Sequence, residues 1–321
     1  MDNTSKLITQ NSDILFIYDA KETNPNGDPD DENKPRMDYE SSRNLVSDVR
    51  LKRYIRDYLQ DYKGQDVFVA KVDNKPLSVT ERLEMLFLAY REEDDYSQSL
   101  NLTKLEKRHI DWLLSRLIDV RFFGATMPIK AKEGAGASAT FTGPIQFNWG
   151  YSLNKVELLD SNSISSHFSS EAEKAQGAIG KDWRIYYSLV AFHGIISARR
   201  AERTRLNTND ILLFDESMVK AIPLEATTRS KIGQTPRLYI RVEYKDNQTF
   251  LGDLRDQIGL DKTDGLRSIA DFNLDLHRLS VLLKKETNKI SRILFWQHPG
   301  LKVSGWEGMN SFQDKIKLLE A

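Results

Sequence analysis

The patterned part of the chain begins with a continuous apolar run that ends at a polar loop. Residues 14–18 read Ile-Leu-Phe-Ile-Tyr, and Asp19 follows. The loop at 24–35 carries three prolines, each of which fixes its own φ and keeps the preceding residue extended. An unbroken bulky run bounded by turn formers is typical of a strand buried on both faces. We therefore predict a buried central strand at 14–19, followed by a stiff loop that is not helical.

Behind this loop, apolar residues return at the spacing of a helix. They recur three and four positions apart, at Leu51, Tyr54, Ile55, Tyr58 and Leu59. Such a stripe is the buried face of an amphipathic helix. The pattern predicts a helix that starts near Ser47 and packs this stripe on the core. Arg50 and Arg53 lie on another face of the helix, and Lys52 and Arg56 are one turn apart.

The rest of the chain shows both helical spacing of apolar residues and the patterns typical of strands. Helical spacing is found at 77–92, 102–117, 211–222 and 267–283. Thr208 is the predicted N-cap of the third of these helices. Strand patterns are found at 118–123, 145–152, 186–196, 238–244 and 293–296. Strands and helices in this order, with a mostly helical insertion at about 64–117, predict an α+β fold for which a split βαβ core is a natural candidate.

Two further segments are too small or too polar to pack well. Residues 130–138 are mainly Ala, Gly and Lys and predict a mobile loop. Residues 155–182 include a serine-rich stretch at 161–170, where Ile164 and Phe168 are the large apolar side chains. A segment this polar between apolar strands predicts an arm or hairpin that projects from the body.

Composition limits the function without naming it. The 321 residues are 40% hydrophobic, enough for a sizeable core, and 46 basic against 47 acidic residues give a net charge of −1. A polyanion contact would therefore depend on local segregation of charge. The absence of cysteine excludes disulfides and thiolate metal sites. The N-terminus lacks a signal-like apolar core and no run reaches about 20 apolar residues, so we expect a cytoplasmic protein with no membrane segment.

Positive charge is concentrated in two places. Between Lys34 and Asp57, seven basic residues stand against four acidic ones, a local net charge of +3. This enrichment fits a nucleic-acid contact, and it equally fits an ordinary solvated helix face. A second cluster contains Arg199, Arg200, Arg203 and Arg205. It has three interpretations: a solvated surface, another polyanion contact or a subunit interface.

The loop also carries a small acidic group. Asp28, Asp30 and Asp31 place three carboxylates together, and oxygen ligands suit Mg²⁺ or Ca²⁺. The group lacks the closing glutamate of an EF-hand loop, and Asn, Gly, Pro and Asp are common turn formers. A structural turn is the plainer interpretation, with phosphate positioning and a catalytic metal as alternatives. No dinucleotide fingerprint, phosphate-binding glycine loop or nucleophile elbow occurs, so we predict no cofactor and no enzyme activity.

Several motifs resemble those of one known family. The blocks are Asn24-Pro25-Asn26-Gly27-Asp28-Pro29, Asn33-Lys34-Pro35-Arg36-Met37-Asp38, 46–56, 119–125, 142–147, Phe192-His193-Gly194 and 230–237. These matches are spread over residues 14–244, most of the chain, and resemble the CRISPR-associated Cascade backbone protein, the "Cas-seven" family. The chain looks most like the Csh type of subtype I-B, with the Csd type of subtype I-C as a near relative.

The resemblance implies a modified RNA-recognition-motif (ferredoxin-like) palm with a helical fingers insertion and a projecting thumb hairpin. The palm would comprise 1–63, 118–154 and 183–321, the fingers 64–117 and the thumb 155–182. The family's RNA contacts fall on the loop after the first strand and on the first helix. In this sequence they correspond to Asn24, Asn26, Lys34, Arg36, Ser47, Arg50 and Arg53, with Lys52 and Arg56 on the same helix and Gln146 in a palm strand.

The resemblance also implies a non-catalytic subunit of an antiviral type I complex. Family members polymerise head to tail along a CRISPR RNA and leave its bases available to target DNA. The implied partners are therefore CRISPR RNA, target DNA, further copies of the chain and other Cascade subunits. A head-to-tail interface that does not close produces such a helical filament. The alternative is a metal-dependent RNA endonuclease of the type III kind, for which Asp28, Asp30 and Asp31 lie in the comparable region.

Overall fold

The computed structural model describes residues 6–70, 77–94, 102, 105–129, 137–160, 163–165, 179–306, 312 and 314–319. Within these residues the α-helices are α1 (Asp48–Lys63), α2 (Val79–Asp94), α3 (Lys107–Arg116), α4 (Ile118–Phe123), α5 (Ala198–Thr204), α6 (Thr208–Glu225) and α7 (His277–Lys285). The strands are β1 (Ser12–Thr23), β2 (Gly27–Asp28), β3 (Lys34–Pro35), β4 (Met37–Asp38), β5 (Arg43–Val46), β6 (Gly124–Ile129), β7 (Ala137–Thr142), β8 (Ile145–Phe147), β9 (Gly150–Ser152), β10 (Ser163–Ser165), β11 (Ile179–Lys181), β12 (Ile185–Ile196), β13 (Gln234–Tyr244), β14 (Gly259–Leu260), β15 (Leu274–Asp275), β16 (Ile290–Gln297), β17 (Val303–Ser304) and β18 (Ile316–Leu318).

A largely antiparallel sheet forms the centre of the molecule, with β1 in its middle. The strand order is β18-β16-β13-β1-β12-β9-β5-β4, and β8 pairs with the far end of β12. β1 is antiparallel to both neighbours, so that Phe16 lies opposite Phe192 of β12 and Tyr239 of β13. The strands predicted around 186–196, 238–244 and 293–296 are confirmed as β12, β13 and β16, each somewhat longer than predicted.

The two faces of β1 are buried in different cores. Ile14, Phe16 and Tyr18 pack in one apolar cluster with α1 and α6. Leu15 and Ile17 pack in a second cluster, together with α7 on the other side of the sheet. Successive side chains of a strand point to opposite faces, so a strand covered on both sides needs apolar residues at every position. The predicted buried central strand and the mixed α+β fold are confirmed.

The first helix begins where its sequence pattern indicated. Ser47 is the N-cap, and its Oγ accepts a hydrogen bond from the Arg50 backbone N–H at 3.3 Å. Gly64 ends the helix with a φ of +61°, a conformation that costs glycine little and other residues more. The apolar stripe of α1 is buried in the same cluster as α6. The helix therefore has fixed ends and a fixed rotation, which determine where its charged side chains lie.

The helical section after α1 has a small core of its own. Helices α2, α3 and α4 and the β6–β7 hairpin bury Leu83, Phe87, Leu113, Val120 and Met127 together. Helical spacing at 77–92 and 102–117 agrees with α2 and α3, although α3 begins five residues later than the pattern.

The strand predicted at 118–123 is wrong, because this segment is the helix α4. Its apolar and polar residues alternate, yet all six residues are buried. The polar members have internal partners: Asp119 accepts from Arg56 Nε at 2.9 Å, and Arg121 donates to Asp210 at 2.8 and 2.9 Å. The alternation therefore reflects buried ion pairs, whereas a period of two normally marks one face in water.

The helix predicted at 267–283 is confirmed only in its second part, as α7. Upstream of α7, the Asp271 carboxylate accepts from the backbone N–H groups of Arg267 and Ser268 at 2.7 and 2.8 Å. A short polar side chain that bonds to nearby backbone competes with helix formation.

Two smaller differences concern boundaries. The N-cap of α6 is Asn207, whose side chain accepts from two backbone N–H groups, rather than Thr208. The strand predicted at 145–152 is interrupted at 148–149, between β8 and β9.

Parts of two predicted segments lie outside the described residues. These are 130–136 of the predicted mobile loop and 161–162 and 166–178 of the predicted arm. The described ends of the arm pair as β10 and β11, with Ile164 opposite Gly180. Among the described helices, none combines the length and apolar character needed to cross a membrane.

Candidate nucleic-acid interface

The loop after β1 is a compact hairpin fixed by its own backbone. β2 and β3 pair within it, with Gly27 opposite Pro35. Asn24 is buried, and its Nδ2 donates to the Asn33 carbonyl at 2.7 Å. A Cβ on Gly27 would lie 2.7 Å from the Asn33 backbone carbonyl oxygen, so glycine is required for this close approach. The predicted stiffness of the loop is thus reinforced by contacts that the prolines alone do not provide.

Asn26 and Ser47 join this loop to the start of α1. The Asn26 Oδ1 accepts from the Ser47 backbone N–H at 2.8 Å and from the Ser47 hydroxyl at 2.9 Å. The same hydroxyl caps α1 by accepting from the Arg50 N–H. Loop and helix therefore form one rigid unit, in which two of the predicted contact residues already use hydrogen-bonding atoms within the chain.

The cations of the loop are partly exposed and paired with loop carboxylates. Lys34 Nζ lies 2.9 Å from Asp31 Oδ1, and Arg36 Nη1 lies 2.9 Å from Asp28 Oδ2. Lys34 Nζ is also 5.0 Å from the centroid of the Trp183 ring. Partly exposed ion pairs of this type contribute little to stability, about 0–1 kcal/mol. They can therefore exchange their carboxylate for another anion at low cost.

The exposed side of α1 presents Arg50 and Arg53. The Arg50 guanidinium lies 4.0 Å from the Tyr54 ring centroid, and its Nε has no hydrogen-bond partner among the described residues. Arg53 Nε bonds to Asp57 at 2.6 Å, one turn away on the surface of the helix. Of the six cations predicted on loop and helix, Arg50 is the one that no described carboxylate pairs with.

Lys52 and Arg56 occupy a different environment from Arg50 and Arg53, because both are buried. Lys52 Nζ lies 2.9 Å from Asp48 and 3.1 Å from Gln146 Oε1. Arg56 Nε lies 2.9 Å from the fully buried Asp119. These two charges are balanced inside the protein.

Gln146 is likewise occupied by the chain. Besides accepting from Lys52, it donates from Nε2 to the carbonyls of Gly143 at 3.0 Å and Phe123 at 3.2 Å. Its amide thus links α1 to the connection between β7 and β8 and to the end of α4.

Lys231 is a neighbour of this surface that the sequence pattern did not single out. Its Nζ donates to the Asn24 carbonyl, across 207 positions of sequence. Burial, together with the nearby Arg50 charge, lowers the pKa of Lys231 to about 7. Gln234 Nε2 extends the contact by donating to the Tyr54 hydroxyl at 3.0 Å. The block at 230–237 therefore closes one side of the surface, and an approaching anion would favour the charged form of this lysine.

Trp183 and Lys181 form the other side, at the base of the arm. Lys181 Nζ lies 2.6 Å from Glu32 of the loop and 5.9 Å from the Trp183 ring centroid. The Trp183 Nε1 is buried without a hydrogen-bond partner within the described residues. An indole between two lysines offers a stacking face beside the cationic loop.

The acidic group of the loop is engaged in these contacts. Asp28 Oδ1 accepts from the Asp30 backbone N–H at 3.2 Å, while Asp28 Oδ2 pairs with Arg36. Asp31 pairs with Lys34. No group of three or more His, Cys, Asp or Glu able to hold a metal ion occurs in the part of the chain that the structure describes.

Comparison with known proteins places the chain in a family. Residues 10–277 match the family of CRISPR-associated protein Cas7. The chain belongs to this family. It is 32% identical over 297 residues to the CRISPR-associated protein Cas7 of Haloferax volcanii, a match that covers 88% of this chain and 85% of the relative.

The fold is similar to that of a solved "CRISPR RNA-guided surveillance complex, pre-nicking". The match has a TM-score of 0.50 and 13% identity and covers 91% of this chain and 95% of that chain. At this identity the likeness concerns the fold, a mixed α+β architecture around a central sheet. A second chain, from a "CRISPR RNA-guided surveillance complex", matches with a TM-score of 0.47 at 13% identity and covers 91% of this chain and 94% of that chain.

In this member of the Cas7 family, the ten predicted contact residues separate into three groups. Lys34, Arg36, Arg50 and Arg53 present partly exposed cations. Asn24, Asn26 and Ser47 hold the loop against the helix. Lys52, Arg56 and Gln146 turn inward and bond to the chain. We refer to the first group, together with Lys231, as the α1 surface.

Proposed function

We propose that this chain is a non-catalytic, CRISPR RNA-binding backbone subunit of a type I surveillance complex, or Cascade, and that its α1 surface contacts the RNA backbone. Membership of the Cas7 family is the observation that carries the proposal. The solved structure with a similar fold belongs to a CRISPR RNA-guided surveillance complex, which supports the same function.

The strand topology supports an RNA-recognition-motif (ferredoxin-like) palm. In chain order β1, α1, β9, β12, α6 and β13 give a βαββαβ unit, and the antiparallel order β13-β1-β12-β9 places the last strand beside the first. We propose that residues 1–63, 118–154 and 183–321 form this palm. The separate core around α2 and α3 would be the fingers at 64–117, and the β10–β11 hairpin the base of the thumb at 155–182.

Contacts in the α1 surface suit binding that ignores base sequence. A guide-binding subunit must accept any spacer, so its contacts should go to phosphate and ribose. Arg50 offers a guanidinium that pairs with no carboxylate among the described residues. Lys34, Arg36 and Arg53 can exchange partly exposed carboxylates for phosphates. Asn24, Asn26 and Ser47 keep loop and helix in one arrangement, so the cations need little reordering on binding.

Lys52, Arg56 and Gln146 have a positioning role in this proposal. They are bonded to Asp48, Asp119 and the Gly143 carbonyl, and so fix the helix on which Arg50 and Arg53 stand.

The wider assembly follows from the family. We propose that copies of the chain polymerise head to tail along CRISPR RNA in the cytoplasm and present its bases to target DNA, beside other Cascade subunits of subtype I-B. A filament needs the same interface repeated without closure, and RNA provides the linear template.

The test is RNA binding by the double variant Arg50→Ala/Arg53→Ala. We expect its affinity for two single-stranded RNAs of unrelated sequence to fall about tenfold, equally for both. The salt slope, which is the steepness with which log affinity falls with log salt concentration, should decrease by about 1. The matched control is Lys284→Ala/Lys285→Ala, which removes the same charge from α7 on the opposite side of the sheet. If the double variant binds like this control, the α1 surface is not the RNA contact.

The endonuclease alternative is tested with the protein assembled on a guide RNA. Assembled protein is incubated with Mg²⁺ and RNA complementary to the guide, and the products are resolved by length. Intact RNA is expected, for the wild type and for Asp28→Asn alike. Cuts at regular intervals that disappear in Asp28→Asn, Asp30→Asn or Asp31→Asn would overturn the non-catalytic function.

A further inference from the structure

A second cationic site lies away from the loop and α1, in a cleft between β7 and α5. The cleft has a volume of about 610 Å³ and is lined by Thr140, Phe141, Thr142, Arg199, Arg200, Arg203 and Thr204. We refer to it as the arginine cleft. None of its lining residues is acidic, and the two β7 threonines add exposed hydroxyl groups.

The three arginines of the cleft are exposed and have no side-chain partner among the residues that the structure describes. No described carboxylate or hydrogen-bond acceptor pairs with Arg199, Arg200 or Arg203. The next arginine in the chain differs, because Arg205 pairs with Asp111. Within this arginine cluster, the one member paired with a described carboxylate is therefore Arg205, which does not line the cleft.

The positions of these arginines on α5 destabilise the protein when no ligand is bound. Arg203 follows Arg199 by four positions and Arg200 by three, so all three lie along one side of a seven-residue helix. Like charges at these spacings repel and destabilise a helix. An anion bound in the cleft would relieve this repulsion, and guanidinium groups are suited to bidentate contact with phosphate oxygens.

The arginine cleft is connected to helix α1 by short-range contacts. Thr142 lines the cleft, and the adjacent Gly143 carbonyl accepts from Gln146 at 3.0 Å. Gln146 in turn accepts from Lys52 of α1 at 3.1 Å. The start of α5 is held to the same segment, since the Ser197 N–H donates to the Pro144 carbonyl at 3.0 Å. Helices α1 and α5 are therefore both attached to the two-residue connection, Gly143–Pro144, between β7 and β8.

We propose that the arginine cleft binds phosphate groups of a nucleic acid strand, as a second contact distinct from the α1 surface. The proposal rests on the proposed function, because that function supplies the polyanion. Arginine and threonine side chains recognise phosphodiesters without reading bases, so this contact too would be independent of sequence. The phosphates can belong to the guide RNA or to the target DNA paired with it, and the experiment separates the two.

The test compares Arg199→Gln/Arg200→Gln/Arg203→Gln with a matched control, Lys284→Gln/Lys285→Gln/Lys302→Gln, which removes three exposed positive charges elsewhere. One arm titrates single-stranded RNA; the other titrates complementary single-stranded DNA onto the RNA-loaded protein. If the cleft holds the guide, the first affinity falls about tenfold or more, with a salt slope lower by about 2. If it holds the target, the second affinity falls and the first does not. Arg→Lys at the three positions should restore most of the lost binding.

Unchanged affinities in both arms, with salt slopes equal to those of the lysine control, would overturn the proposal. A variant that binds RNA and DNA normally but no longer assembles would do so as well, because the cleft would then contact protein. Failure of the proposed function is distinguishable, since the wild type itself would then not bind RNA. Because no described residue would lose a partner, single Gln substitutions provide readable variants if the triple variant folds poorly.

Discussion

The α1 surface carries five cations and the arginine cleft three, and the two sites balance their charges differently. On loop and helix, Lys34, Arg36 and Arg53 each have a carboxylate of the same chain within 2.9 Å. In the cleft, no described residue neutralises Arg199, Arg200 or Arg203. Local charge counts do not distinguish these cases, because they ignore where the carboxylates lie. A surface that is preassembled around its own counterions needs little reordering to bind, whereas an unbalanced one depends more strongly on its ligand and on salt.

The largest expected effect is on folding and separates structural cations from exchangeable ones. Arg56→Ala leaves Asp119 buried without its cation, so we expect it to lower the free energy of unfolding by about 3–5 kcal/mol. Arg53→Ala breaks a partly exposed pair and should cost less than about 1 kcal/mol. The arginine-cleft variant should stay within about 0.5 kcal/mol of the wild type. Urea denaturation measures all three.

An equal loss for Arg53→Ala and Arg56→Ala would contradict this division of α1. So would a large loss in the cleft variant, because it would mean that the three arginines have structural partners.

The sequence was sufficient to predict the elements whose position depends on the local spacing of apolar and polar residues. The buried run of β1, the N-cap Ser47 and the apolar stripe of α1 follow from spacing, and all three are confirmed. The motif blocks also identified the family that residues 10–277 match.

What the sequence could not predict depends on distant partners. Arg56 meets Asp119 across 63 positions, and Lys231 meets Asn24 across 207. Ion pairs with distant residues also explain why 118–123 has a strand-like pattern and yet folds as α4. Its two alternating charged residues, Asp119 and Arg121, are buried in the protein. The arginine cluster was visible in the sequence, but the cleft that it lines arises only when the β6–β7 hairpin packs against α5.

A smaller effect is expected from Lys231, at the edge of the α1 surface. Its pKa is lowered from 10.5 to about 7 by burial, so between about pH 7 and 10.5 the unfolded chain holds a proton that the folded chain has released. Stability contributed by this residue therefore rises with pH across that window. Lys231→Met removes the trend, so the difference in unfolding free energy between variant and wild type should change steadily from pH 7 to pH 9.

Urea denaturation at several pH values measures this difference, with Lys285→Met as the control for loss of a lysine at an exposed position. If the difference for Lys231→Met is independent of pH, Lys231 is not held in the buried position described above.

The most direct test of RNA-backbone binding is a structure of the chain assembled on a guide RNA. We expect a phosphate oxygen within about 3 Å of the Arg50 guanidinium at the first turn of α1, with no contact from Arg50 to a base edge. An RNA path that leaves Arg50 on Tyr54 and the Lys34–Asp31 and Arg36–Asp28 pairs intact, with the strand bound elsewhere, would contradict it.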